Sequence, residues 1–158
     1  RTRERRNAGE PLDRILAAVT LDADLLARPY LRPLYDEPEF VVRNVYRLYG
    51  GWYDGNPANL KPAPESQLAR ELCDLAGGAA SLAARAQALA ERDEWRLACH
   101  LIEIAARAVP EDRAVHGVRA EIYRARRQRE TSLMAKGIFG HAARRSEAIA
   151  SGDRSRDA

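Results

Sequence analysis

Sulfur and aromatic rings are scarce in this sequence. Its 158 residues include two cysteines, one methionine and 6 % aromatics. Cys73 and Cys99 cannot build a disulfide framework, and there is no Cys-x-x-Cys pair. Each lies in an apolar helical pattern, where a small buried thiol is the ordinary outcome. Histidine is equally sparse. His100, His116 and His141 have no second histidine at metal-ligand spacing, so neither metal nor other cofactor is expected in this chain. No apolar run approaches the ~18 residues of a membrane span. The first residues, RTRERRNAGE, are basic and lead into no apolar stretch, so no secretory signal is expected. Sustained period-two alternation of β-branched residues is missing, which argues against a sheet. There is no glycine-rich phosphate loop and no nucleophile elbow. Taken alone, the chain reads as catalytically silent.

Charge is plentiful but uneven. Charged residues make up 31 % of the chain and the formal net charge is +3. From Arg124 to Ala158 nine Lys/Arg face four Asp/Glu, so this end carries +5 and the remainder is slightly acidic. A basic end can hold nucleic acid, but no aromatic-interleaved basic face accompanies it. Nucleic acid is therefore not expected as a partner, and the end reads as solvated.

What remains is alanine, leucine and helical periodicity. Hydrophobic residues are 46 % of the chain. Leu12, Ile15, Leu16 and Val19 follow the i, i+3, i+4, i+7 rule after Pro11. Asp22 can open a second short helix holding Leu25 and Leu26. The segment RPYLRPLYDEP reads as a turn-rich connector, because each proline disfavours helix just before it. A helix over 39–49 puts Val42, Val45, Tyr46 and Tyr49 on one face, and Gly50-Gly51 ends it. Helices are expected over 66–76 (Leu68, Leu72, Leu75), 79–91 and 94–109 (Trp95, Ile102). Another opens at Glu111 or Asp112, and a last one over 131–150 carries Leu133, Met134, Ile138 and Phe139. The expected fold is all-α: a helical bundle or array. Its second half resembles tetratricopeptide packing, in which small faces let helices approach closely. The division expected is a linker or tail over 1–10, a helical domain over 11–150, and a disordered tail over 151–158.

One stretch departs from this pattern: YRLYGGWYDGNPANL, from Tyr46 to Leu60. Local chemistry accounts for a rigid corner. Gly50-Gly51 stops a helix, Trp52 and Tyr53 pack its end, Asp54-Gly55 turns, and Asn56 is held extended by Pro57. Ala58-Asn59-Leu60 then re-enters the core.

The same stretch resembles the Gly-Trp-(Phe/Tyr)-Asp-Gly-Asn-Pro-Ala signature of the alkyl sulfatase dimerisation domain. That domain accompanies a metallo-β-lactamase-fold catalytic domain in SDS-hydrolase-type alkyl sulfatases. The similarity extends over roughly 11–128, through the proline connector, Gly77-Gly78 and the Trp95 turn. Two positions depart from it: Phe40-Val41 stands where the family carries a His-Asn pair, and the last helix does not match the usual ending. The resemblance implies a dimerisation and support domain of a zinc-dependent sulfuric ester hydrolase. Its chemistry would belong to an N-terminal domain with a His-x-His-x-Asp-His core, which this chain lacks. Zinc is thus implied for the parent enzyme only. The implied partners are a second copy and that catalytic domain. The cytoplasm is favoured as location, with secretion of the parent left open. Trp52, Tyr53, Asp54 and Asn56 then form a corner facing the catalytic domain or substrate. Val42, Val45, Tyr46, Tyr49 and Trp95 form a helix-packing or dimer face. The competing expectation is a free-standing tetratricopeptide-like peptide binder.

Overall fold

The computed structural model describes residues 1–152, and these hold nine α-helices, one short 3-10 turn and no strand. The chain divides into two compact units. The first is Arg1–Pro62 with Thr131–Met134; the second is Ala63–Glu130 with the chain from Ala135 onward.

In the first unit, α1 (Thr2–Asn7), α2 (Leu12–Ala18) and α3 (Ala23–Ala27) lead to α4 (Pro38–Gly50). The residues expected as a leading linker thus contain α1. Apolar periodicity cannot register this helix, because arginines hold it. The Arg6 guanidinium lies 5.5 Å over the Tyr46 ring and that of Arg3 lies 5.7 Å over Tyr49. Gly50 leaves room for Arg6, which a β-carbon there would strike. The small core joins α2 to α4: Ile15 is wholly buried against Val42 and Tyr46, with Leu12, Leu16 and Val19 around it. Proline at the first position of α4 suits its fixed φ. Gly51 ends the helix at φ 71°, ψ −155°, a region almost closed to other residues. Further along the chain, Thr131–Met134 docks on the proline connector. The Leu133 and Met134 amides donate to the Leu34 and Tyr35 carbonyls at 2.8 and 3.2 Å. The buried Ser132 hydroxyl also donates to Tyr35, at 2.8 Å.

The second unit stacks α5 (Glu65–Leu75), α6 (Ala79–Ala90), α7 (Trp95–Ala108), α8 (Arg113–Arg129) and most of α9 (Leu133–Ser151). Its core is alanine-rich. Ala83, Ala86, Ala105 and Ala143 close around Ile102, Ile122 and Tyr123. Small faces bring helix axes close, and the Tyr123–Phe139 stack at 5.7 Å fills the wider gap. Gly77 and Gly78, both at positive φ, turn the chain between α5 and α6. Asp112 caps α8 by accepting from the Val115 amide at 2.9 Å. Cys73 is buried and Cys99 half-buried, and burial raises both thiol pKa values.

Periodicity located the apolar residues of α5 and α9 but not their facing, and the expected placements of Leu60 and Trp52 are overturned. Leu68, Leu72 and Leu75 of α5 are exposed, and Ala69 and Cys73 face inward against Ala108 instead. The buried residues of this face are small, and Leu82 and Ile104 pack against them. Leu133 and Ile138 of α9 are also exposed, at 63 % and 60 %. Ala135, Gly140, Ala143 and Ser146 are buried in their place. Arg127 explains the exchange at Gly140: its stem leaves 3.1 Å to a β-carbon. Leu60 does not re-enter a core, being 57 % exposed. Trp52 does not pack the end of α4. The tail expected from residue 151 begins inside α9 at Ser151, and from 153 it lies outside the described residues.

Candidate functional site

The signature corner follows α4 directly and builds itself from local bonds. Asp54 Oδ1 accepts from the Asn56 amide at 2.9 Å, and its Oδ2 accepts from the Asn59 side chain at 2.5 Å. Those two donors, the amide first, hold the Asp54 carboxyl below its ordinary range. Asn56 Oδ1 in turn accepts from the Ala58 amide at 3.1 Å, capping the 3-10 turn Pro57–Leu60. Asp54 and Asn56 are thereby spent on shaping the loop. The two rings are not. Trp52 is 72 % exposed and meets Tyr53 edge to face at 6.1 Å. The corner therefore presents a rigid aromatic edge to water.

The expected helix face splits in two. Val42 and Tyr46 turn inward to Ile15, Val45 is half-buried, and Tyr49 is exposed. Trp95 is in the second unit and serves that unit. Its indole donates to Asp93 at 2.9 Å, and the Arg129 guanidinium, itself bonded to Asp93 at 3.1 Å, lies 4.2 Å above the ring. These bonds lower the Asp93 pKa and latch the α6–α7 turn, where Asp93 has φ 60°.

Periodicity did not identify two outward apolar stripes. On α4, Val41, Val45 and Leu48 repeat at i, i+4, i+7, with Val41 and Leu48 exposed. On α5, Leu68, Leu72 and Leu75 repeat at the same spacing. A strip about 100° wide is what a core-facing helix shows, so sequence alone assigns such a strip to the interior. Each helix in fact has two adjacent apolar faces, and only one is covered.

A serine–histidine pair in the second unit is structural. His116 Nδ1 lies 3.0 Å from Ser146 Oγ, and Nε2 lies 2.9 Å from the Pro110 carbonyl. The carbonyl can only accept, so Nε2 carries the proton and Nδ1 accepts from Ser146. Arg119 donates to the same Ser146 oxygen at 2.7 Å. Ser146 is wholly buried and its oxygen is engaged by both His116 and Arg119, so it is not presented to a substrate. Burial, first among the causes, lowers the His116 pKa. The neighbouring groove of about 1210 Å³ is bordered by ion pairs already formed, Arg107–Glu65 at 3.0 Å and Arg119–Glu103 at 2.6 Å. Among the described residues no three His, Cys, Asp or Glu side chains converge as a metal would require. His100 and His141 are exposed.

Comparison with known proteins agrees with this geometry. The family model described as alkyl sulfatase dimerisation matches residues 12–148. A linear primary-alkylsulfatase from Pseudomonas sp. is 31 % identical over 119 residues, covering 75 % of this chain and 22 % of the relative. An (R)-specific secondary-alkylsulfatase from Pseudomonas sp. is 35 % identical over 96 residues, covering 60 % of this chain and 14 % of the relative. A solved double mutant of the sec-alkyl sulfatase PisA1 superposes with a TM-score of 0.82 at 25 % identity, covering 96 % of this chain and 24 % of that one. The chain thus spans less than a quarter of the length of these curated relatives.

Proposed function

The chain belongs to the alkyl sulfatase dimerisation family, and from that premise we propose that it joins two copies of an alkyl sulfatase-like hydrolase and braces the catalytic domain of each. The observation that carries this reading is the quantity of large apolar side chains left in water. Leu48, Trp52 and Leu75 are 76 %, 72 % and 85 % exposed, and Val41, Leu68 and Leu72 are exposed on the same helix faces as Leu48 and Leu75. Within each unit, large apolar side chains left in water mark association sites. Burial of such surface contributes ~25 cal/mol per Å².

Bond-breaking is assigned to a neighbouring metallo-β-lactamase-fold domain that acts on a sulfuric ester. Zinc bound there would activate a water for attack. The described residues do not fit the metal: both His116 nitrogens are engaged, and no three His, Cys, Asp or Glu side chains converge among them. The role of this chain is positional. The exposed Trp52–Tyr53 edge, held by the Asp54 and Asn56 bonds, is the surface offered to the catalytic domain and to an alkyl chain at its entrance. Aromatic edges suit that task, since they bury much apolar area at little entropic cost.

Light scattering of the purified chain at micromolar concentration tests the association. A dimer is expected, and a monomer would overturn the reading. Incubation with zinc and an alkyl sulfate is expected to release no sulfate. Turnover would mean that this chain holds a site of its own.

A further inference from the structure

We infer that the dimer contact is reciprocal: the outer strip of α4 in one copy packs antiparallel on the outer strip of α5 in the other, and the reverse. The inference rests on the dimerisation reading and specifies its surface.

Three observations support it. The strips match in length and spacing, with apolar side chains at i, i+4, i+7 on helices of 13 and 11 residues. Antiparallel alignment sets Val41 against the partner's Leu75, Val45 against the partner's Leu72, and Leu48 against the partner's Leu68. The rims are opposite in charge. On α4 the exposed Arg47 and Asn44 flank the strip; on α5 the exposed Glu71 and Asp74 do. At 100° per residue both rims lie on the same-handed side of their strips, and an antiparallel pair brings same-handed sides together. Arg47 then approaches the partner's Glu71. Pairing α5 with its own copy would instead oppose acidic rims, and pairing α4 with its own copy would oppose arginines. Like charges so placed disfavour those alternatives. A single helix pair of this length falls short of the ~1,200 Å² that separates stable interfaces from weak ones. A twofold axis makes the contact twice, since residue i on j implies j on i.

The test uses two variants of the whole chain, Leu48→Arg and Leu68→Glu, studied by sedimentation equilibrium separately and mixed. Both side chains are exposed, at 76 % and 55 %, so neither substitution enters a core. Leu75→Glu replaces the second variant should circular dichroism show lost helix. Each variant alone is expected to weaken the dimer by ~100-fold, the scale of losing a central anchor. An equimolar mixture is expected to dimerise again. One contact in the mixed dimer is then unaltered, and the other sets the introduced arginine against the introduced glutamate. If both variants stay dimeric, or only one dissociates, or the mixture stays monomeric, the reciprocal contact is wrong while dimerisation stands. If the unaltered chain is itself monomeric, the dimerisation reading falls.

Discussion

Replacing Arg119 by methionine probes the polar knot of the second unit. The Arg119 side chain is only 14 % exposed and that of Glu103 25 %. The guanidinium makes contacts of 2.6 and 2.9 Å to Glu103, 2.7 Å to Ser146 Oγ and 3.1 Å to the Ala142 carbonyl. It also lies 5.0 Å over the Tyr123 ring. Methionine keeps much of the apolar stem, so the loss is chiefly electrostatic. Orphaning one partner of a fully buried ion pair costs ~3–5 kcal/mol. Glu103 keeps some water and Arg107 lies 4.0 Å away, which lowers that share to ~2 kcal/mol. Losing the second bond on the Ala142 carbonyl and the one to Ser146 Oγ adds ~1 kcal/mol. The expected total is ~3 kcal/mol, or a fall of ~6–12 °C in Tm for a domain of this size. Urea unfolding followed by circular dichroism, at one fixed protein concentration, reads it directly. Adding Glu103→Leu removes the orphaned charge and is expected to restore stability to within ~1 kcal/mol of the parent. A single variant within ~0.5 kcal/mol of the parent, or a double variant as unstable as the single one, refutes the reasoning.

Other consequences follow from the same geometry. Because burial lowers the His116 pKa, the native state binds fewer protons than the unfolded chain below the unfolded value of ~6.5. Its contribution is full above that pH and is lost as pH falls toward the lowered folded value, so Tm at pH 5.5 should fall below that at pH 7.5, with a weaker slope in His116→Gln. Gly51→Ala forces a β-carbon into φ 71°, ψ −155° and should cost ~1–3 kcal/mol by thermal melting. The two tryptophans should separate cleanly. Trp52→Ala should leave stability within ~0.5 kcal/mol, since the ring is mostly exposed. Trp95→Ala loses the indole bond to Asp93 and the ring beneath Arg129 and should cost ~2 kcal/mol in urea unfolding.

Element positions were largely legible in the sequence because they depend on local rules. Gly77-Gly78, Pro110, Asp112 and the connector prolines bound the helices where backbone conformation alone requires. The corner was legible as a rigid turn, since Asp54 and Asn56 bond to donors within five residues. Facing was harder to read. On α4, α5 and α9 the periodicity identified apolar residues without saying which of two adjacent faces meets a neighbour. At Ala69 a small side chain takes the interior, and at Gly140 the Arg127 stem crowds out a larger one, while leucines of the same helices lie outward. The Arg119 knot gave no periodic signal at all. Its members, Glu103, Arg119 and Ser146, lie on three different helices.

The amino-acid sequence by itself determined the helical class, the breaks between helices and the shape of the tryptophan corner, because each follows from interactions a few residues long. Only the tertiary structure decided which apolar faces are covered and which are left in water. It also placed Ser146 between His116 and Arg119 in the interior of the second unit. Those outcomes depend on how closely distant helices approach, a distance that no single segment encodes.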